Sequence, residues 1–256
     1  MKSTFDRTAS TFERHRSLPD EAPEAIRAAI WAAARLSGPA RVLDIGAGTG
    51  RIGKAFIAAG DSYVGVDTSL AMLREFPATG GNCVLAQVDG RELPFNDGSF
   101  DVVLLFHVLS SMDDWRGVLK EVRRVLRPGG CVVVGQTAGP EMGLDMQLKR
   151  QLTAILSEMQ VESHRPEKPR REALAWLDSS FARHVHSTAM SWKIYTTPQE
   201  FLLRHSSGAR FAALPAPVRE QALQELRTWA ETEFGSIEAQ FEENRAIELD
   251  IFEIQI

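Results

Sequence analysis

A glycine-rich segment that follows a carboxylate is the part of the sequence best suited to chemistry. Gly46, Gly48 and Gly50 come just after an apolar run that carries Asp44 near its end. Glycines at a strand-to-helix junction let the backbone approach a ligand closely, which in dinucleotide enzymes favours a pyrophosphate. Asp44 would repel a diphosphate but attract an ammonium or sulfonium group. Arg51 also stands where the dinucleotide pattern GxGxxG needs its last glycine, so the segment disfavours NAD.

Further polar residues follow the next predicted strands along the chain. Short apolar segments at 63–67, 83–88 and 100–105 are typical of buried strands. The first ends in Asp67, which comes 67 − 50 = 17 residues after Gly50, near the offset of about 20 at which such folds hold a ribose hydroxyl pair. A single acid in such a place can also be a helix N-cap or a turn residue. Such residues at the ends of several successive strands therefore indicate a ligand site more strongly than any one of them does. The candidate ligand-binding residues at these strand ends are Asp67, Asp89, Gly90, Phe106 and His107.

From about Arg41 to Val134 these motifs resemble the class I methyltransferases that use S-adenosyl-L-methionine (AdoMet) and release S-adenosyl-L-homocysteine. The resemblance implies an α/β, Rossmann-like fold: a seven-stranded, mostly parallel sheet with an antiparallel last strand and helices on both faces. It also implies a helical cap inserted between the last two strands. Cofactor contacts are then expected at Arg16, Asp44, Gly46, Ala47, Gly48, Arg51, Asp67, Thr68, Met72, Asp89, Gly90, Phe106 and His107.

The resemblance also assigns roles to some of these residues. Asp67 would anchor the ribose, and the acid and glycine at 89–90 would contact the adenine. Asp44 would lie near the methionine amino group or its bound water. Arg16 belongs to an N-terminal segment that folds over the cofactor in similar enzymes and could meet the methionine carboxylate, although a surface arginine in a mobile terminus is an equally good interpretation.

His107 is the best-placed candidate for a general base, because it follows strand four at the edge where open α/β sheets bind ligands. Packing or shaping of the acceptor pocket is the alternative role. His184 and His186 alternate on a predicted strand, but further metal ligands are not identifiable near them. Two cysteines without ligand spacing likewise indicate no zinc site. We therefore expect no metal.

The chain is expected to form one methyltransferase domain over residues 1–256. Its parts would be an N-terminal segment and helix (1–38), an AdoMet-binding core (39–137) and an acceptor-side half (138–256). Within the last part, Phe181 to Tyr195 and Arg245 to Ile256 have strand patterns. The helical segments between them predict a cap at about 196–235.

Composition indicates an ordinary globular protein, with 44% hydrophobic and 25% charged residues. A formal net charge of −5 makes a general nucleic-acid binder unlikely as a class, since such binding depends on Lys and Arg neutralising phosphates. No apolar run is long enough to span a membrane, and the N-terminus lacks the apolar region of a signal peptide. A cytoplasmic location without a membrane partner is therefore expected, while the oligomeric state is open.

The resemblance is to the broad group that includes ubiquinone, menaquinone and trans-aconitate methyltransferases, which implies a small-molecule acceptor. Residues 106–109 lack the Asp/Asn-Pro-Pro-aromatic motif by which amino-methyltransferases of nucleic acids hold a planar nitrogen. An RNA methyltransferase without that motif is one alternative. A sensor or partner subunit that binds AdoMet without methyl transfer is another. The acceptor atom, whether O, N, C or S, is not encoded in any recognisable motif.

Overall fold

Seven strands form one sheet in the spatial order β3-β2-β1-β4-β5-β7-β6. The computed structural model describes residues 18–77, 82–112, 114–161, 167–206, 211 and 214–254. Arg16 and the rest of the N-terminal segment lie outside these residues. The strands are β1 (Arg41–Ile45), β2 (Ser62–Asp67), β3 (Cys83–Gln87), β4 (Phe100–Phe106), β5 (Leu126–Ala138), β6 (Arg183–Thr196) and β7 (Phe241–Glu253). The helices are α1 (Ala22–Ala34), α2 (Gly53–Ala58), α3 (Leu70–Arg74), α4 (Trp115–Val125), α5 (Leu144–Glu158), α6 (Glu167–Ser180), α7 (Pro198–Ser206) and α8 (Ala216–Phe234).

The pairing of the strands confirms the predicted fold class. Strands β1 to β5 pair in parallel, and β7 runs antiparallel to both β5 and β6. The carboxyl ends of β1, β2, β3, β4 and β5 therefore meet at one edge of the sheet. The order along the sheet, which the sequence pattern did not specify, places β1 and β4 side by side at its centre.

Alternating side chains of the central strands bury both faces of the sheet. Val42 of β1 belongs to the apolar cluster that α1, α2 and α3 cover, and Leu43 belongs to the cluster that α4 and α6 cover. Both valine and leucine are fully buried. Because side chains of a strand alternate between faces, this two-sided burial is what a parallel sheet flanked by helices requires.

A third apolar cluster lies outside the sheet and joins α5, α7 and α8. Leu148, Phe201 and Leu226 are its fully buried centre. Helix α5 follows the carboxyl end of β5, and α7 follows that of β6, so this helical layer stands at the same edge as the strand ends. The insertion predicted between the last two strands is thus present as α7 and α8.

Two boundaries differ from expectation. The last strand was expected to begin at Arg245, but β7 begins at Phe241, because its first residues pair with β6 as far as Thr196. A Pro-Gly pair is typical of a turn, yet Pro128 and Gly129 lie within β5, whose pairing with β4 is irregular there. Among the described residues, no helix is long and apolar enough to cross a membrane.

Candidate cofactor and acceptor site

The glycine loop leaves the carboxyl end of β1 and is tied to β2. Gly46, Gly48 and Gly50 have φ values of +82°, +56° and +81°, a region that side chains with a Cβ rarely adopt. The backbone N–H groups of Gly46 and Ala47 both donate to the carbonyl of Val66, at 2.8 and 3.1 Å. The loop is therefore a set of fixed backbone groups held against the end of β2.

Two of these glycines are also required by close packing. A Cβ on Gly46 would lie 2.2 Å from Val108 Cγ1, and one on Gly50 would lie 2.7 Å from the ring of Phe76. Gly48 has more room, with Met72 Cε at 3.4 Å as the nearest atom. The contact with Val108 brings the loop after β4 directly against the glycine loop.

Asp67 ends β2 with its carboxylate beside the glycine loop. Its Oδ2 accepts a hydrogen bond from Gly48 N at 3.0 Å, and its Oδ1 accepts one from Ser69 N at 2.8 Å. Ser69 in turn caps α3 by accepting from Met72 N. A carboxylate can accept several hydrogen bonds, and these two backbone bonds orient Asp67 towards the glycine loop. Thr68 beside it is exposed.

Asp44 lies beneath the loop, buried, and accepts a 2.6 Å hydrogen bond from the hydroxyl of Tyr63 on the neighbouring strand. Burial raises the pKa of Asp44 to about 7, and the charge of Asp67 acts in the same direction, whereas the bond from Tyr63 acts against it. A group with this pKa changes its ionisation near neutral pH. A cationic ligand nearby would favour the ionised form.

The next two strand ends supply the predicted adenine contacts and His107. Asp89 is paired with Arg91 at 2.6 Å, and this hydrogen bond lowers the pKa of Asp89. Gly90 is buried, and a Cβ there would lie 3.1 Å from Ile45. Phe106 is buried over Gly135, where a Cβ would come within 2.1 Å of its ring.

His107 stands exposed just beyond β4 and has a φ of +57°. A positive φ in a residue other than glycine costs free energy and persists only where surrounding contacts require it. The contacts here are with β5: His107 N donates to Gly135 O, and Thr137 N donates to the ring nitrogen Nε2. The two remaining predicted cofactor residues, Arg51 and Met72, are half-buried and buried respectively.

The histidines of β6 are engaged with carboxylates of β7. His184 Nε2 and His186 Nδ1 both contact Asp250 Oδ1, at 3.2 and 2.9 Å, and Arg170 contacts the other oxygen. The hydrogen bond that His186 donates to Asp250 raises the pKa of His186. Among the described residues, no three or more His, Cys, Asp or Glu side chains are grouped to hold a metal ion.

Residues near the helical layer have mixed environments. Trp192 packs against the core, whereas Tyr195 is exposed and donates to Glu242 at 2.8 Å. His205 stacks on the ring of Phe201, and burial lowers its pKa to about 4. A cavity of about 370 Å³ lies between α7 and α8, but its lining includes none of the strand-end residues, so it is separate from the glycine loop.

Sequence reasoning missed three residues that the structure places in this region: Tyr63, Ser69 and Thr137. The serine could have been found, because a serine just before a helix is a common N-cap. Tyr63 left a weaker signal as a polar aromatic at the start of a buried strand. Thr137 left none, since its link to His107 depends on the pairing of β4 with β5.

Comparison with known proteins agrees with the fold and the loop. A methyltransferase domain family matches residues 43–134. An uncharacterized methyltransferase of Mycobacterium tuberculosis is 32% identical over 228 residues, which cover 89% of this chain and 85% of the relative. A demethylmenaquinone methyltransferase of Clavibacter sepedonicus is 28% identical over 187 residues, covering 70% of this chain and 76% of that protein.

Among solved structures, a putative methyltransferase from an antibiotic biosynthesis pathway of Anabaena variabilis superposes with a TM-score of 0.60. It is 17% identical, and the match covers 91% of this chain and 98% of that one. At this identity the likeness concerns the fold alone. Together with the relative from M. tuberculosis, which is similar over most of both chains, it leads to one assignment: this chain belongs to the class I AdoMet-dependent methyltransferases.

Proposed function

We propose that this enzyme transfers a methyl group from AdoMet to a small-molecule acceptor at the edge formed by the carboxyl ends of β1, β2 and β4. The main support for this proposal is the position of the Asp67 carboxylate. Gly48 N and Ser69 N hold it beside a loop that contains three glycines with positive φ. An oriented carboxylate beside a glycine loop suits a ribose diol.

The residues of this region fit AdoMet in charge as well as in shape. Asp44 and Asp67 place negative charge near the loop, which suits a ligand with an ammonium and a sulfonium group and opposes a diphosphate. Asp89 and Gly90 would contact the adenine. When bound, AdoMet supplies a methyl group that its sulfonium centre already makes electrophilic. The protein therefore has to position the acceptor and exclude water, and it needs no metal for activation.

A small acceptor is favoured by what surrounds this edge. The helical layer of α5, α7 and α8 stands beside the strand ends, and within it the segment 196–235 would cap the acceptor. The net charge of −5 suits a metabolite better than a polyanion. One relative, from C. sepedonicus, is named for methylation of a small molecule, demethylmenaquinone.

The decisive experiment on the cofactor is replacement of Asp67. Asp67→Ala should weaken AdoMet binding by about 2 to 4 kcal/mol, because two ribose hydroxyls would lose a charged acceptor. Isothermal titration calorimetry measures this affinity. Asp114→Ala is a matched control, since Asp114 also accepts a backbone N–H, from Gly117 at 2.9 Å, but at the start of α4. An unchanged affinity in folded Asp67→Ala protein would remove Asp67 as the anchor.

The acceptor is tested separately by incubating the enzyme with AdoMet and acidic, phenolic or amine metabolites. Release of S-adenosylhomocysteine is the readout. Turnover of at least one such metabolite is expected. Activity on RNA alone would contradict the small-molecule assignment, and AdoMet binding without any turnover would favour a sensor or partner subunit.

A further inference from the structure

At the end of the β4–β5 ladder, the side chain of His107 accepts a hydrogen bond from β5 that a backbone carbonyl would accept in a regular sheet. The last regular pair of this ladder is Phe106 with Gly135, and His107 N still donates to Gly135 O at 3.0 Å. The φ of +57° at His107 then turns the chain away from β5. Thr137 N, the next donor along β5 in this direction, finds His107 Nε2 at 3.2 Å instead of a carbonyl.

This hydrogen bond determines which ring nitrogen carries the proton. A backbone N–H is always a donor, so Nε2 can accept from Thr137 N only through its lone pair. In a neutral imidazole one nitrogen is protonated and the other is not. While Nε2 accepts from Thr137, the proton of neutral His107 must be on Nδ1.

The hydroxyl of Thr137 reinforces the same arrangement. Its Oγ1 also lies 3.2 Å from Nε2, where it can donate to the same lone pair. The ring of Phe106 meets the imidazole edge to face, with centroids 4.9 Å apart. Backbone, hydroxyl and neighbouring ring together hold the imidazole in one orientation.

The position of His107 makes this tautomer relevant to methyl transfer. Val108, the next residue, packs so closely on the glycine loop that a Cβ on Gly46 would lie 2.2 Å from its Cγ1. His107 is thus one residue from a direct contact with the loop assigned to AdoMet. It is exposed at the edge where the acceptor would be bound.

We propose that His107 serves this site as a neutral hydrogen-bond donor through Nδ1–H, positioned by Thr137, and that it is not a general base. A base must offer a lone pair to the acceptor's proton, and the lone pair of this ring is engaged by Thr137. The inference rests on the proposed function and narrows the acceptor to compounds that are nucleophilic without a base. Anionic oxygen groups, such as a carboxylate or an ionised phenol or enol, fit this requirement.

With such an acceptor the reaction balances without a proton transfer. The oxygen lone pair forms the new O–C bond, the C–S bond breaks, and its electron pair remains on sulfur. An anion and a sulfonium cation then become a neutral ester or ether and a neutral thioether. Nδ1–H would hold the acceptor oxygen or an adjacent one in line with the methyl group.

The first test observes the tautomer directly and needs no acceptor. Nitrogen-15 NMR of histidine-labelled enzyme, with S-adenosylhomocysteine present, distinguishes a protonated from an unprotonated ring nitrogen. The chain has six histidines, and the spectrum of His107→Asn identifies the signals of His107 by their loss. We expect Nδ1 protonated and Nε2 unprotonated at neutral pH. A proton on Nε2 would overturn the inference.

The second test compares three variants once an acceptor is in hand. His107→Asn keeps an N–H donor near the Nδ1 position and tolerates a positive φ, but an amide is not a base. His107→Gly tolerates the same φ without any donor, and His107→Ala adds backbone strain. We expect the Asn variant to keep kcat within about fivefold of the wild type and the Gly variant to lose roughly tenfold or more.

The pH profile separates the two roles further. For a donor, kcat of the Asn variant should follow pH as the wild type does. For a base, the Asn variant should fall as far as the Gly variant and lose an ionisation from the profile. That second outcome would refute the donor role while leaving small-molecule methyl transfer intact. Failure to find any acceptor would challenge the proposed function, and the NMR result would still decide the tautomer.

Discussion

The two sides of the proposed ligand-binding edge hold their carboxylates in different ways. On the glycine-loop side, Asp67 is oriented by backbone N–H groups of Gly48 and Ser69, all within the β1–β2 region. On the side of the helical layer, Asp145 is bound by Arg204 at 2.5 Å and by Arg245 at 3.1 Å. Arg204 is 59 residues further along the chain, so this second arrangement depends on long-range packing.

The difference indicates what each carboxylate does. The backbone donors of Asp67 carry no full positive charge, so they orient the carboxylate without neutralising it. The charges around Asp145 are balanced by side chains, and Glu243 joins them through a 2.7 Å contact with Arg245. We therefore interpret the first group as a binding element and the second as the connection between the helical layer and the sheet.

The largest effect that would test this comparison is expected from Asp145→Ala. Removing a carboxylate whose side chain is only 10% exposed takes away the negative charge that both Arg204 and Arg245 contact, although Glu243 still pairs with Arg245. The free energy of unfolding should fall by about 3 to 5 kcal/mol. AdoMet affinity should change by less than about 1 kcal/mol, because the described contacts of Asp145 and of Asp67 involve different residues. Denaturant unfolding and calorimetry measure these quantities.

Asp178→Ala is the control, because Asp178 is 65% exposed and pairs with His184 at the surface. It should shift stability by no more than about 0.5 kcal/mol.

Acid should have the same effect on stability as Asp145→Ala, because protonation removes the negative charge of Asp145. Burial alone would raise its pKa, but Arg204 and Arg245 lower it below the ordinary value. A group whose pKa is lower in the native state than in the unfolded state stabilises the fold at pH values above its unfolded-state pKa. This stabilisation is lost as the pH falls through the native-state pKa. Loss of AdoMet binding in Asp145→Ala would show that the two sides are coupled.

An intermediate effect is expected at Gly46, where conformation and packing can be separated. Gly46 and Gly60 have nearly equal φ values, +82° and +84°, but a Cβ on Gly60 meets nothing within 4 Å. Gly60→Ala should therefore cost only the strain of the left-handed backbone, about 1 to 2 kcal/mol. Gly46→Ala should lower the free energy of unfolding by roughly a further 1 to 3 kcal/mol, because the added Cβ would clash with Val108. It should also weaken AdoMet binding.

Adding Val108→Ala to Gly46→Ala should recover part of that further loss, because the clashing Cγ1 atom is removed. Unfolding free energies of the single and double variants provide the comparison. Equal decreases in the free energy of unfolding for Gly46→Ala and Gly60→Ala would mean that the contact between the glycine loop and the loop after β4 does not contribute to stability. In that case, the proposed closeness of His107 to the cofactor would also lose support.

A pH dependence is expected at Asp44. Its pKa of about 7 lies above the ordinary value of 3.8, so the stability that it contributes is present below pH 3.8 and lost as pH rises through about 7. Binding of a cation runs the other way, and AdoMet affinity should increase over the same rise in pH. Asp44→Asn should abolish both slopes.

Tyr63→Phe should shift the pH dependence of stability and of AdoMet affinity, whereas Asp44→Asn should abolish it. The hydroxyl of Tyr63 counteracts the effect of burial on the pKa of Asp44, so its removal should move the midpoint of both slopes to higher pH. Affinity and unfolding measurements across the neutral range test this. A midpoint that does not move would show that another group titrates.

The features that sequence alone determined are those with local causes. The apolar segments, the glycines at 46, 48 and 50 and the acid at the end of β2 could all be identified, because backbone conformation and strand endings leave marks in neighbouring residues. Asp114, which caps α4, also has a local cause, because an aspartate directly before a helix is a common N-cap. These features were sufficient for the fold class and the family.

Tertiary structure alone decided the partners of the charged and titratable groups. Asp44 meets Tyr63 only through the register of β1 with β2, and the tautomer of His107 depends on Thr137, 30 residues away on β5. Asp145 and Arg204 come together only when α5 and α7 pack on one another. Such pairs carry no signal in sequence spacing, because their contact is created by burial of apolar surface elsewhere in the chain.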